Sequence, residues 1–179
     1  MKKLVLAVAI SAVSASAFAN TEFTGHRVGL GASGLEFSES GYNWDLGTGL
    51  KLEYGYDFNH IFGLNVSYAW NQDDVNLPDY IGNVDYRART FKIDSDIGYA
   101  FELESLWLKP YGAIGLAYVN DEVETQNNGT FSGSESTLFL GLGVRAQLNM
   151  GLYADLRYDL PSFSGVDADY LSFTVGYRF

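Results

Sequence analysis

The chain has 179 residues, no cysteine, 16% aromatic residues and a formal net charge of −11. Its length fits one domain, its fold must form without disulfide bonds, and its negative charge disfavours nucleic acid as a partner. Abundant aromatic residues, 20 glycines and only three prolines favour a strand-rich fold with tight turns over an ordinary soluble domain.

The first nineteen residues have the organisation of a secretory signal peptide. Lys2 and Lys3 precede an apolar run over residues 4–13, and Ala17-Phe18-Ala19 is a small-x-small cleavage pattern. The run is too short to cross a bilayer as a helix. We therefore expect residues 1–19 to be removed and residues 20–179 to form one exported domain, with nine basic residues against 22 acidic ones.

Eight segments of the remaining chain alternate apolar and polar side chains with the period of two that a β-strand produces. They cover residues 23–35, 45–57, 61–71, 87–102, 107–120, 137–149, 152–160 and 170–179. The first segment is the least regular, because Leu35 and Phe37 break its alternation after Gly34. In the last segment every odd position from Leu171 to Phe179 is apolar or aromatic, which is typical of the closing strand of a transmembrane barrel.

The connections between the segments alternate in length. Tight turns are expected at residues 58–61, 103–106 and 149–151, and longer polar loops at residues 37–44, 72–86, 121–136 and 161–169. Short turns on one rim and long loops on the other are the pattern of outer-membrane barrels, with the short turns in the periplasm. Outward aromatic residues gather near both ends of the segments, as belts at two membrane surfaces would.

These patterns predict an all-β fold, an eight-stranded antiparallel up-and-down transmembrane β-barrel. The structural alternative is a soluble eight-stranded barrel or sandwich with its apolar face inside. That fold would place Lys51, Glu53 and Arg157 at alternating positions on a solvent face and would need a partner for the large apolar residues between them, so the membrane barrel is favoured.

The inward face of the predicted barrel carries charges of both signs in nearly equal number. The expected ion-pair network comprises Arg27, Lys51, Glu53, Lys92, Asp94, Asp96, Arg145, Asp155, Arg157, Asp159 and Arg178, with Asp57 and Glu102 at the lower rim. An eight-stranded barrel is only wide enough to be filled by side chains, and buried charges must pair. We expect a plugged lumen. A narrow channel for small solutes or hydrophobic compounds is the alternative.

The predicted loops are acidic, and Arg87 and Arg89 are the only basic residues near them. These acids include Asp73, Asp74, Asp79, Asp121, Glu122 and Glu124. Most of these charges are expected to keep the loops solvated. Two functional alternatives stay open: divalent cations shared with lipopolysaccharide, or a cationic ligand on a host or peptide. The 73–79 segment offers oxygen ligands but lacks the spacing of a calcium loop, so no metal site is predicted.

Two motifs resemble the small outer-membrane barrels of the opacity and OmpX-like type. Residues 110–118, Pro-Tyr-Gly-Ala-Ile-Gly-Leu-Ala-Tyr, are similar to the PYxGxGxGY-type strand of that family, and Gly176-Tyr177-Arg178-Phe179 is similar to its terminal signature. The resemblance implies residence in the outer membrane of a Gram-negative bacterium, contact with its lipid and lipopolysaccharide, and recognition of Tyr177 and Phe179 by the barrel-assembly machinery. It also implies a surface-interaction, adhesive or stress-linked role without a cofactor.

Lipid A-modifying enzymes also use eight-stranded barrels, and they need a histidine at the outer rim as a general base. This chain has two histidines, His26 at the start of the first segment and His60 in a predicted periplasmic turn. Both are expected at the opposite end from that chemistry. No catalytic residue is therefore predicted.

Overall fold

The computed structural model describes residues 23–39, 42–76, 83–125, 129–163 and 166–179. The predicted signal peptide lies outside these residues. Most of the described chain belongs to nine strands: β1 (Gly25–Glu39), β2 (Tyr42–Asp57), β3 (Phe62–Asn76), β4 (Asn83–Gly98), β5 (Phe101–Glu102), β6 (Leu106–Thr125), β7 (Gly129–Leu148), β8 (Leu152–Phe163) and β9 (Val166–Arg178). None of the described residues forms a helix of the length and apolarity needed to cross a membrane.

Eight of these strands close into an antiparallel barrel. Each pairs with its neighbour along the chain, β4 pairs with β6 past the two-residue strand β5, and β1 pairs with β9 to close the ring. The predicted fold class is confirmed. The fourth predicted segment was too long, because β4 ends at Gly98 and Phe101–Glu102 folds back as β5 onto the start of β6.

The barrel is apolar outside and polar inside, as the alternation predicted. On β7, Leu142 is 69% exposed on the outward face, whereas Arg145, three residues further along on the inward face, is 1% exposed. Belts of exposed aromatic residues mark both ends of the apolar band, with Trp70 and Tyr118 at one end and Tyr99 and Tyr177 at the other. An exposed apolar surface of this extent requires a hydrocarbon environment rather than water.

The predicted tight turns all lie at one end of the barrel, which we call the short-turn end. Asn59 Oδ1 accepts hydrogen bonds from the backbone N–H groups of Ile61 and Phe62 at 2.8 Å each. The turn between β7 and β8 ends at Gly151, whose φ of +95° favours a residue without a side chain. The predicted break after Gly34 coincides with a register shift between Gly34 and Glu36.

The prediction of long polar loops at the other end was wrong for most of their length. The strands continue through them: β3 and β4 pair as far as Asn76 and Asn83, and β6 and β7 as far as Thr125 and Gly129. Residues 71–76, 83–88, 121–125 and 129–133 therefore form a continuous sheet beyond the barrel, which we call the four-stranded extension. The sequence did not indicate these strands, because a pair of strands that is exposed to water on both faces does not need an apolar face. Its polar and acidic residues therefore resemble those of a loop.

Candidate functional site

The inward face of the barrel gathers twelve buried charged side chains, six of each sign. Each is no more than 4% exposed. The cations are Arg27, Lys51, Lys92, Lys109, Arg145 and Arg157, and the anions are Glu53, Asp57, Asp94, Asp96, Asp155 and Asp159. We call these twelve residues the lumen network. Its formal charges cancel.

The half of the network nearer the short-turn end is centred on Arg27 and Arg145. Arg27 Nε donates to Asp57 Oδ2 at 2.7 Å. Arg145 Nε donates to Asp155 Oδ2 at 2.8 Å, and its Nη1 and Nη2 donate to Asp57 and Asp96 at 3.4 Å each. Each guanidinium thus bridges carboxylates from different strands, which is the geometry that Arg serves better than Lys.

The other half of the network is centred on Arg157, on β8. Its Nη1 donates to Asp94 Oδ1 at 2.9 Å and its Nε to Asp159 Oδ1 at 2.7 Å. Lys92 Nζ donates to the second oxygen of Asp159 at 2.7 Å and lies 3.6 Å from the centre of the Tyr170 ring. Asp159 thus lies between two cations, and the Tyr170 ring covers the Lys92 ammonium. These contacts compensate for the loss of water around all three charges.

Asn65 joins the two halves. Its Nδ2 donates to Asp94 Oδ1 at 2.9 Å and to Asp96 Oδ2 at 3.0 Å, while its Oδ1 accepts from Arg27 Nη2 at 2.7 Å. Lys51 lies at the margin, with its Nζ 2.8 Å from Glu53 and 3.2 Å from Ser172 Oγ. The network is therefore continuous from β1 and β2 to β8 and β9.

Sequence reasoning missed three members of this arrangement. Asp57, assigned to the lower rim, is fully buried between Arg27 and Arg145. Lys109 was not named, yet its Nζ lies 2.5 Å from Asp96 Oδ1. Strand parity could have found both, because Asp57 shares its face with Glu53 and Lys109 shares its face with Tyr111. Asn65 carries no charge and gave no comparable signal. Glu102 is exposed at the short-turn end.

Arg178 differs from the other predicted network residues. It is half-buried at the short-turn end, with its guanidinium 5.1 Å from the centre of the Phe23 ring. When the Gln147 amide oxygen faces Arg178, it accepts from Nε at 2.9 Å and from Nη2 at 3.1 Å. Phe23 also stacks on His60 and packs against Trp107, each at 5.4 Å between ring centres. These contacts form an aromatic layer beneath the charged network.

The other predicted C-terminal residues lie at the seam where the barrel closes. Tyr177 pairs with Val28, and both are exposed on the outward face. Phe179 exchanges two backbone hydrogen bonds of 2.9 Å with His26, and the two rings stack with centres 5.9 Å apart. His26 Nδ1 also lies 2.7 Å from the Tyr54 hydroxyl. Both histidines are thus at the short-turn end, as predicted.

The acidic residues predicted for loops lie mostly in strands of the four-stranded extension. Asp73 and Asp74 belong to β3 and Glu124 to β6, although their side chains lie outside the described part of the structure, as does all of Asp79. Asp121 and Glu122 are partly exposed on β6. Burial and then the Asp121 carboxylate raise the pKa of Tyr86 to about 12. Among the described side chains, no three His, Cys, Asp or Glu residues are arranged to hold a metal ion.

The four-stranded extension has an open edge. β7 pairs with β8 only from Phe139 to Gln147, so its residues 129–138 pair with β6 alone within the described residues. On the other side, β3 pairs with β2 only up to Trp70. An unpaired strand edge presents backbone N–H and C=O groups that can bind another chain.

Comparison with known proteins agrees with this architecture. The sequence profile described as "Outer membrane protein beta-barrel domain" matches residues 5–179, whereas a search of curated proteins gave no match. Similar solved structures include Ail of Yersinia pestis in complex with the heparin analogue sucrose octasulfate (TM-score 0.66, 20% identity, covering 87% of this chain and 99% of Ail).

Two further structures share the fold. The Neisserial surface protein A is 19% identical, with a TM-score of 0.61 over 86% of this chain and 97% of its own. The N-terminal β-barrel domain of Pseudomonas aeruginosa OprF is 17% identical, with a TM-score of 0.62 over 87% and 99%. The inside-out closed barrel and the match over nearly the whole sequence place the protein in the outer membrane of a Gram-negative bacterium: the chain belongs to the outer membrane protein β-barrel domain family.

Proposed function

We propose that this protein is a non-enzymatic, non-transporting barrel that acts at the cell surface through its strand extensions. The observation that carries the proposal is the open edge of β7 at residues 129–133, on a sheet that continues beyond the membrane-spanning barrel. Because outer-membrane barrels place their short turns in the periplasm, this edge faces the exterior. It offers backbone groups to an extended segment of a partner protein, in the manner of strand addition.

The chemistry of the extension favours a basic partner. Acidic residues outnumber basic ones there, with Arg87 as the single basic residue among positions 71–76, 83–88, 121–125 and 129–133. Ail has been crystallised with a polyanionic heparin analogue. The acidic extension of this chain supports the opposite preference, for a host or peptide segment rich in Lys and Arg, because unlike charges steer the encounter and like charges suppress it.

The lumen network supports the absence of transport. Its cancelling charges fill an interior that is only wide enough for side chains, and the aromatic layer of Phe23, His60 and Trp107 lies beneath it. A channel for hydrophobic compounds would need an apolar lumen. The lipid A-modifying alternative is disfavoured because His26 and His60 both lie at the short-turn end.

The experiment uses cells that display the protein, with immobilised matrix proteins, complement regulators, a Lys-rich peptide and heparin as probes. Two proline variants at neighbouring positions, Ser132→Pro and Gly133→Pro, serve as a matched pair. Backbone N–H groups alternate sides along a strand, so one variant blocks the free edge and the other breaks the β6 ladder. We expect binding to a protein or to the Lys-rich peptide, none to heparin, and loss in the edge-blocking variant. Binding that survives both variants would refute the proposal.

The C-terminal residues support a second proposal, about assembly. Tyr177 and Phe179 end the closing strand, and Phe179 is 68% exposed on the outward face, where the barrel-assembly machinery could bind it. Deletion of Phe179 tests this role.

A further inference from the structure

Two basic residues differ from all the others that the structure describes, because their side chains lie on the outward face. Of the nine basic residues after position 20, six belong to the lumen network and Arg178 lies at the short-turn end. Arg87 and Arg89 alone lie on the outward face of β4, alternating with the buried Ala88 and Thr90. Any positive charge on the outward surface of the described barrel and its four-stranded extension, above the short-turn end, therefore comes from these two residues.

Arg89 lies just beyond the apolar band, at the end of the barrel opposite the short turns. The cross-strand row below it is Tyr68, Phe91 and Tyr118, each more than 40% exposed. Two residues along a strand span roughly 7 Å. The headgroup layer beyond the roughly 30 Å hydrocarbon core is of similar depth on each side, so Arg89 lies at the level of lipid headgroups.

The row that contains Arg89 consists of hydrogen-bond donors. Register places Trp70, Arg89, Asn120 and Ser134 opposite one another across β3, β4, β6 and β7. Their side chains offer an indole N–H, a guanidinium, an amide and a hydroxyl group. Asn120 Nδ2 already donates one hydrogen bond, to the Gly133 carbonyl at 3.4 Å, and its second N–H is left for a ligand. A guanidinium binds phosphate through two parallel hydrogen bonds. Tryptophan is enriched at the level of the lipid headgroups, where its ring contacts the apolar layer and its N–H contacts polar groups.

The two arginines differ in whether an acidic residue lies directly opposite them on the neighbouring strand. Arg87 lies directly opposite Glu122 on β6, whereas Arg89 has Trp70 and Asn120 on its two sides and no carboxylate directly opposite. The arginine without an acidic cross-strand neighbour is thus the one at headgroup level. In a chain of net charge −11, a local cation at this depth counteracts the repulsion between the protein and an anionic leaflet.

We propose that Arg89, with Trp70, Asn120 and Ser134, forms a binding site for the phosphate group of a lipid in the outer leaflet. The occupant is a membrane-anchored phosphate, because the row continues directly into the apolar band that holds acyl chains. This proposal depends on the location of the barrel in the outer membrane and not on any protein partner of the extension. Failure of one proposal therefore leaves the other standing.

The test measures lipid adducts by native mass spectrometry on the folded full-length barrel released from detergent micelles. The probes are bis-phosphorylated lipid A and the same lipid with its phosphates removed. The variant is Arg89→Gln, and Arg178→Gln is the matched control because it removes the same charge at the opposite end. Heat-modifiable mobility in gels first verifies that each variant is folded.

We expect a saturable adduct with bis-phosphorylated lipid A in the wild type and the Arg178→Gln control. Loss of one charge-assisted contact should weaken it roughly tenfold or more in Arg89→Gln. Removal of the lipid phosphates should weaken it equally in the wild type. Equal binding by wild type and Arg89→Gln, equal binding of the dephosphorylated lipid, or displacement of lipid A by inorganic phosphate would each overturn the proposal.

Discussion

Arg145 on β7 and Asp57 on β2 lie 3.4 Å apart, from Nη1 to Oδ1, although these two strands face each other across the barrel. The contact therefore crosses the full width of the lumen. An opening at this level would require both side chains to leave partners that compensate for their buried charge. This relationship is the strongest single support for the proposal of a closed interior.

Replacement of Arg145 should destabilise the barrel strongly. Arg145→Met leaves Asp57, Asp96 and Asp155 without their shared guanidinium, and removing one partner from a buried ion pair costs about 3–5 kcal/mol. The free energy of unfolding in lipid vesicles, from urea titration, measures the loss.

A double variant distinguishes loss of the ion pair from loss of packing. In Arg145→Met/Asp155→Leu the opposing β7–β8 pair becomes apolar, which removes one unpaired carboxylate. The double variant should be more stable than Arg145→Met alone. A double variant that is less stable by the sum of the two single-variant losses would show that Arg145 and Asp155 contribute independently and not as an ion pair.

Asp57 should contribute far more to stability than Glu102, which the sequence also placed at the lower rim. Asp57→Asn removes the carboxylate shared by Arg27, Arg145 and Lys109 and should lower the free energy of unfolding by about 3–5 kcal/mol. The exposed Glu102→Gln control should change it by less than about 0.5 kcal/mol. Equal effects in the two variants would contradict the placement of Asp57 inside the network.

Two glycines provide a test of packing in the lumen. A Cβ at Gly55 would lie 2.5 Å from Arg27 Nη2, whereas a Cβ at Gly112, on the outward face, would meet no atom nearer than 3.8 Å. Gly55→Ala should therefore destabilise the barrel by about 1–3 kcal/mol, and Gly112→Ala should be nearly neutral. Vesicle unfolding measures both, and the reverse order would show that the network has spare room.

The role of Phe179 can be separated from its contribution to the ladder. Deleting Phe179 removes its ring and both backbone hydrogen bonds to His26. His26→Ala keeps those backbone bonds and removes the opposing ring with its contact to the Tyr54 hydroxyl. We expect the deletion to reduce the heat-modifiable, folded fraction in cells and His26→Ala to leave it near wild type. A deletion variant that assembles normally would exclude Phe179 as an assembly signal.

The parts of this structure that strand parity controls were predictable from the sequence. Alternate residues of a strand point to opposite faces, so Leu142 lies outside and Arg145 inside. Because the outer face contacts lipid, its residues are consistently apolar, and the alternation is easy to recognise in the sequence. Asp57 and Lys109 followed the same rule and were missed because turns and Pro110 stand close to them. Their exact partners depend on which strands oppose one another across the barrel, and local sequence does not contain that geometry.

The strand extensions were not predictable in the same way. Residues 121–136 are rich in acidic and small polar residues, which indicate a loop when no apolar face is required. Their pairing arises from the neighbouring strands, which already hold β6 and β7 in register within the barrel. The open edge of β7 begins where its pairing with β8 ends, at Phe139 and Pro161, which the residues of β7 themselves do not signal.

Planar-bilayer recording tests the closed lumen most directly. Purified wild-type protein should insert without stable, stepwise conductance if the proposal of a closed lumen is correct, because contacts such as Arg145–Asp57 span the interior. An Arg145→Ala/Asp57→Ala variant that remains folded by heat-modifiable mobility should admit small ionic currents. Large, stable conductance steps from the wild-type barrel would show that the lumen is open.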